Sequence, residues 1–166
     1  MNSALPAAAP DGLTRLNYLH GAWTGHGEFR DDHANLHYFA QTETVTPWLD
    51  GELLTIEGIG HDRDDTTRAT HLAFAIVRYD IGRRNYPWRA YSGGNWINTE
   101  LLLSPNGFRW SLQVEPRQIL RYTATVADDV WDEVGQISHD GAPWSTIMTM
   151  RLHRQRTAAA TGRGKP

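Results

Sequence analysis

Apolar residues alternate with polar residues along most of the chain, which is the pattern of β-strands whose two faces meet different surroundings. The clearest run covers residues 107–115, where four apolar side chains share one face: Phe108, Trp110, Leu112 and Val114. Other runs, such as residues 35–48 and 130–138, carry apolar and polar residues on both faces. Mixed faces are typical of a barrel with a partly polar cavity, or of a strand whose outer face also packs against something.

Ten such runs follow one another, separated by turn-forming pairs such as Asp50–Gly51, Gly93–Gly94 and Asp128–Asp129. The predicted strands are residues 21–30, 35–48, 52–61, 69–79, 86–93, 95–104, 107–115, 118–127, 130–138 and 144–154. Short strands joined by tight turns predict an antiparallel meander, and closure would remove its exposed edges. The predicted fold class is all-β, a ten-stranded antiparallel up-and-down barrel.

One short helix is predicted before the strands. Asp11 can cap it, Leu13, Leu16 and Leu19 recur at helical spacing, and Gly21 can end it.

The first strand then has Trp23, Gly25 and Gly27 on one face. We expect Trp23 to plug the interior beneath the helix, and the glycines to allow a bend or a close approach of another backbone.

The length of 166 residues fits one domain. We expect a flexible arm at residues 1–10, the barrel at residues 11–155 and a disordered tail at residues 156–166, because both ends are rich in alanine and carry few large apolar residues. Four residues make the C-terminal end basic, which is typical of a solvated tail: Arg154, Arg156, Arg163 and Lys165.

Composition excludes several function classes. With no cysteine, the chain has no disulfide, thiolate nucleophile or zinc–thiolate site, and a cytoplasmic location is the simplest expectation. A net charge of −3 supplies no basic footprint for nucleic acid. No apolar run reaches the length of a membrane span. A homodimer is left open.

The chain resembles an uncharacterised bacterial family of calycin-like barrels, distantly related to nitrobindins, lipocalins and fatty-acid-binding proteins. The resemblance rests on the helix, on the Gly-x-Trp-x-Gly-x-Gly-Glu opening at residues 21–28, on Tyr79–Asp80, and on residues 138–144 before a methionine-containing last strand. It implies a ten-stranded barrel with an internal ligand cavity. Calycins carry lipids, pigments and haem, and a few are isomerases or cyclases, so the resemblance implies no particular substrate.

Two features of the related families do not transfer. Nitrobindins bind haem through a histidine near the C-terminal end, where this chain has His153 on the predicted outer face. Fatty-acid-binding proteins use an inward Arg-x-Tyr pair on the last strand, where this chain has Arg151 and His153.

Sequence motifs for catalysis are absent. There is no His-x-His metal pair on a strand, no phosphate-binding glycine loop and no Gly-x-Ser-x-Gly. We therefore predict no metal site and no cofactor. The candidate catalytic residues are the carboxylates and the histidine within strand runs, where burial would favour proton transfer, although each is more often solvent-exposed: Glu43, Glu57, His71, Glu100 and Glu133.

The aromatic residues and methionines suggest a binding pocket, although core packing explains some of them equally well. The predicted ligand-binding residues are Trp96, Trp110, Tyr122, Met148, Met150, Tyr91 and Phe74. The first functional hypothesis is binding of a small, largely apolar or aromatic molecule. The alternative is an isomerase or cyclase with a Glu or His proton-transfer group, and haem binding ranks last.

Overall fold

The structure, a computed structural model, describes residues 12–156 and consists of ten antiparallel strands that form a closed barrel. Each strand pairs with the next along the chain, and β1 pairs with β10 to complete the ring. The strands are β1 (Gly21–Arg30), β2 (Leu36–Trp48), β3 (Leu53–Asp62), β4 (Ala69–Arg78), β5 (Tyr86–Ser92), β6 (Asn95–Ser104), β7 (Gly107–Glu115), β8 (Gln118–Ala127), β9 (Val130–His139) and β10 (Ser145–Arg154). The predicted fold class is confirmed.

The observed strand ends lie within one residue of the predicted ones. The turn chemistry explains this agreement. Asp128 and Asp129 both have positive φ, as do Gly93 and Gly94, so these pairs form tight hairpin links whose twist matches the strands they join. The predicted arm at residues 1–10, the Asp11 cap and nearly all of the predicted tail lie outside the described residues.

The N-terminal helix is a 3-10 helix over Leu13–Leu19. Its leucines Leu16 and Leu19 are fully buried, and the indole Nε1 of Trp23 donates a hydrogen bond of 2.8 Å to the Leu19 carbonyl. The Trp23 ring is 1% exposed and contacts Trp131 edge-on, with ring centroids 5.7 Å apart. As predicted, Trp23 plugs the barrel beneath the helix.

Arg154 fastens this helix to the barrel. Its guanidinium donates hydrogen bonds to the Tyr18 carbonyl at 2.6 Å and to the His20 carbonyl, and its Nε bonds Asp129 at 2.8 Å. The same group lies 4.0 Å from the centre of the Trp23 ring. Arg154 is therefore part of the folded domain, where the sequence grouped it with a solvated basic end.

The buried core is concentrated at the helix end of the barrel. Seven fully buried side chains there come from seven different strands: Trp23, Leu54, Val77, Leu101, Phe108, Trp131 and Leu152. This end is closed, so any internal space must lie toward the other end.

Register decides the strands whose faces the sequence left open. On β2, Phe39, Gln41 and Glu43 point inward, and on β9 Trp131 and Glu133 do so. Val114 departs from its predicted inward face, because the pairing of β7 with β8 shifts between Gln113 and Glu115 and leaves Val114 43% exposed. Within the part of the chain that the structure describes, no helix is long and apolar enough to cross a membrane.

Replacing Trp23 by alanine should lower the free energy of unfolding by about 3–5 kcal/mol, because it removes a buried aromatic ring that joins the helix to the barrel. Trp48, which is 55% exposed, is the matched control, and its alanine variant should lose far less. Urea unfolding followed by circular dichroism measures both. Equal losses for the two variants would contradict the plug.

Candidate functional site

A cavity of about 520 Å³ occupies the half of the barrel away from the helix. One wall is a stack of aromatic rings. The ring of Trp110 lies 5.8 Å from that of Trp88 and 4.4 Å from that of Tyr122, with interplanar angles of 16° and 14°. Met148 and Met150 line the cavity as well. The result is a flat, polarisable wall next to adaptable thioether side chains, which suits a planar organic ligand.

The cavity opens at the end of the barrel opposite the helix. Five residues at the strand ends there line its mouth: Phe29, Arg30, Thr70, Ser92 and Ile147. Ile147 and Met148 both line the cavity although they are neighbours, because the pairing of β10 with β9 shifts between Thr146 and Met148. The shift brings an additional apolar side chain to the mouth.

Inward glycines give the lining side chains room to lie flat against the wall. A Cβ added at Gly58 would lie 2.6 Å from Oε1 of Glu43, and one added at Gly135 would lie 2.8 Å from the ring of Tyr122. The Glu43 carboxyl group and the Tyr122 ring therefore rest on bare backbone, and their other sides are left for the cavity.

Glu43 is a cavity-lining carboxyl group with a strongly perturbed acidity. Its Oε1 accepts a hydrogen bond of 2.7 Å from Nε2 of Gln41, and the side chain contacts no cation among the described residues. Burial raises the pKa of Glu43 from 4.5 to about 8, and the nearby charge of Glu133 adds to the increase. At neutral pH this carboxyl group is largely protonated.

Glu133 faces the same cavity from β9 and is only 9% exposed. Its Oε2 accepts a hydrogen bond of 3.1 Å from Nε1 of Trp131. Burial raises the pKa of Glu133 from 4.5 to about 7. The two carboxyl groups can therefore release or take up a proton in the neutral range, which is a property shared by many general acids.

His71 and Tyr122 are the other perturbed titratable groups of the lining. Burial lowers the pKa of His71, so its imidazole is neutral at neutral pH. Burial raises the pKa of Tyr122, and the charge of Glu133 raises it further, so its hydroxyl keeps its proton. Neither side chain has a hydrogen-bond partner among the described residues, which leaves both free to contact a ligand.

Seven of the candidate residues named from the sequence line the cavity: Glu43, His71, Trp110, Tyr122, Glu133, Met148 and Met150. Their position is now known, while their roles in binding or proton transfer stay predictions.

Three predicted binding residues lie elsewhere, on the outer face of the barrel. Trp96 is 51% exposed, Tyr91 43% and Phe74 38%. Register explains the correction, since the inward residues of these strands are Ala73, Ala75, Ala90 and Ile97 and their neighbours in sequence must point outward.

Two predicted carboxylates also lie outside the cavity. Glu57 is exposed on β3 between the inward-facing Ile56 and Gly58. Glu100 points away from the interior next to the buried Leu101, and its Oε2 accepts a hydrogen bond of 3.1 Å from Asn85.

Sequence reasoning missed several lining residues. Trp88 and Trp131 alternate with other apolar or small side chains, so the period of two in residues 86–90 could have placed Trp88 inside. The Nε1 of Trp88 is buried and has no hydrogen-bond partner in the described chain. Gln41 and Phe39 gave no such signal, because β2 has mixed faces.

A metal site built from protein ligands is not found among residues 12–156, since no group of three or more His, Asp or Glu side chains converges there. The pair that would occupy the fatty-acid-binding position also faces outward. Arg151 forms two hydrogen bonds with Asp132, at 2.6 Å and 2.9 Å, and His153 is exposed.

Stability should fall with rising pH because of Glu43 and Glu133. Between their unfolded pKa of about 4.5 and their folded values of about 8 and 7, the folded protein holds protons that the unfolded chain releases. The double variant Glu43→Gln/Glu133→Gln removes this effect. The stability of the variant relative to the wild type should therefore increase from about pH 5 to about pH 8.

Urea unfolding at several pH values measures this gain, and Glu57→Gln is the matched control because Glu57 is exposed on the outer face. A stability difference between double variant and wild type that stays constant across this range would contradict the raised pKa values.

Comparison with solved structures places this barrel among known ones. The crystal structure of Rv2717c from M. tuberculosis superposes with a TM-score of 0.66 at 16% identity, covering 89% of this chain and 99% of that one. The S-type phycobiliprotein lyase CpeS from Guillardia theta superposes with a TM-score of 0.60 at 11% identity, covering 87% and 93%. No protein-family model matches the chain, and no curated protein matches it. At these identities the similarity shows the fold alone, a ten-stranded barrel of the calycin-like type.

Proposed function

We propose that the protein binds a small, largely apolar or aromatic organic molecule inside the barrel. The observation that carries the proposal is the cavity of about 520 Å³ with the stacked rings of Trp88, Trp110 and Tyr122 along one wall. Its volume lies within the usual range for small-molecule sites. The concentration of packed side chains at the helix end supports the same conclusion, because it leaves the open half for a ligand.

The shape of the wall favours a flat, conjugated ligand. Parallel rings offer a planar surface on which another ring can stack in an offset arrangement. The phycobiliprotein lyase among the similar structures supports a pigment-like molecule as one such ligand. The resemblance to lipocalins and fatty-acid-binding proteins supports the same general role of carrying or handling an organic molecule.

A second candidate function is proton transfer on the bound molecule, as in an isomerase or cyclase. It is favoured by Glu133 and Glu43, whose pKa values of about 7 and about 8 suit a general acid or base at neutral pH. A β,γ-unsaturated cyclic ketone incubated in deuterated water would test it. Deuterium incorporation that is lost in Glu133→Gln supports catalysis, and no incorporation above buffer alone removes it for this class of substrate.

Haem ranks third, following the resemblance to nitrobindins. His71 is the histidine of the cavity lining among the described residues, and its neutral imidazole would be the iron ligand. A Soret band after mixing with haemin that disappears in His71→Ala would support this candidate. An unchanged band would rule out ligation by His71.

Filling the cavity should weaken binding and leave the fold intact. The neutral dye Nile red should bind to the wild type with roughly one-to-one stoichiometry and quench the fluorescence of Trp110. Met148→Trp should weaken this binding at least about tenfold, because the new ring would occupy the ligand's space.

The matched control is Thr149→Trp, which puts the same ring on the other face of β10. Circular dichroism establishes that both variants fold. Nile red that binds equally well to Met148→Trp and Thr149→Trp would mean that the dye lies on the outer surface, and the proposal would be wrong.

A further inference from the structure

Two carboxyl groups line the same cavity. Glu43 comes from β2 and Glu133 from β9, and the two strands that separate them are β1 and β10. The groups are close enough for the charge of Glu133 to raise the pKa of Glu43.

Each carboxyl group has one oxygen satisfied by the protein and one left over. Gln41 donates to Oε1 of Glu43 at 2.7 Å, and Trp131 donates to Oε2 of Glu133 at 3.1 Å. The second oxygen of each accepts no hydrogen bond from residues 12–156. Because Glu133 is 9% exposed, its remaining oxygen must find its partner inside the cavity.

No cation of the described chain neutralises this pair. The titratable or charged side chains that line the cavity besides the two acids are Arg30, His71 and Tyr122. Arg30 lies at the mouth, at the far end of β1, and donates to the Ala34 carbonyl at 3.2 Å. His71 is neutral and Tyr122 keeps its proton. Ionising two buried acids without a counter-charge costs free energy. A cationic ligand would remove much of that cost and would therefore bind favourably between them.

We propose that the inner end of the cavity recognises a protonated nitrogen, so that the ligand is an apolar or aromatic amine or amidine whose cationic group lies between Glu43 and Glu133. This inference rests on the proposed function, since it names the chemical class of the molecule that the cavity holds. The aromatic wall favours the same class, because the faces of Trp88, Trp110 and Tyr122 attract cations as well as stack with rings. A carboxylate ligand would instead meet two acids.

Proton release accompanies binding. In the empty cavity the carboxyl groups are largely or partly protonated at neutral pH. An ammonium ion favours their ionised forms, so one or two protons leave the site as the cation enters. Affinity for a cation should therefore rise with pH across the range in which these acids titrate, while affinity for a neutral ligand of the same shape should not.

Three probes that share one naphthalene ring system separate charge from shape: naphthylmethylamine, naphthylmethanol and naphthylacetate. Calorimetric titration at about pH 8 should give at least about tenfold tighter binding of the amine than of the alcohol, with the acetate weakest. In Glu43→Gln/Glu133→Gln the preference for the amine over the alcohol should disappear. Glu57→Gln, an exposed acid on the same barrel, should retain the preference for the amine.

The outcomes distinguish this inference from the proposed function. Equal affinities for amine and alcohol in the wild type, or tightest binding of the acetate, would overturn the cation site while the container remains. Retention of the amine preference in a folded double variant would overturn it too. If none of the three probes bound and Nile red did not bind either, both the container and the cation site would be wrong.

Discussion

Pairing of β1 with β10 is the constraint on which the rest of this molecule depends. It turns a meander of ten strands into a closed ring and removes both edges of the sheet. Gly25 makes this pairing possible, because a Cβ at that position would collide with the backbone carbonyl of Arg151 on the facing strand. Closure also gives the barrel an interior, so that alternate residues of each strand point either into the barrel or away from it.

A closed barrel of ten strands is wider than its own side chains can fill, and the unfilled space lies at one end. At one end the 3-10 helix, Trp23 and Trp131 fill the interior, and Arg154 ties the helix carbonyls to β10. At the other end small residues such as Ala73, Ala90 and Gly58 line the wall. The cavity is thus a consequence of where large and small inward residues lie along the strands.

The chemical character of the cavity comes from two carboxyl groups that lie in apolar surroundings. Stacked aromatic rings lower the local polarity, and the same apolar surroundings raise the pKa of Glu43 and Glu133 to about 8 and about 7. Acids in such a position reduce stability at neutral and higher pH, which fold maintenance alone does not require. A role in binding or in proton transfer gives a physical reason for their presence, because both need a group whose charge can change near neutrality.

Much of the architecture was determined by local sequence. Alternation of apolar and polar residues predicts the strands, and turn pairs such as Asp128–Asp129 predict their ends to within one residue. Residue types that tolerate a positive φ are favoured in tight turns, so such a pair marks the end of a strand. The burial of Trp23 was also predictable, because a large aromatic ring that shares a strand face with two glycines can fill the space that they leave inside the barrel. Four other residues could be assigned to the interior because their strands alternate cleanly between apolar and polar positions: Trp110, Tyr122, Met148 and Met150.

Only the tertiary structure decided which of several similar residues belong to the site. Glu43 and Glu57 are alike in sequence, yet one lines the cavity and the other faces solvent, because a strand with mixed faces takes its orientation from the register of its neighbours. The same constraint turned Trp96, Tyr91 and Phe74 outward. The placement of Glu43 and Glu133 in one cavity and the anchoring of the helix by Arg154 involve residues far apart in the chain, and no local pattern carries that information.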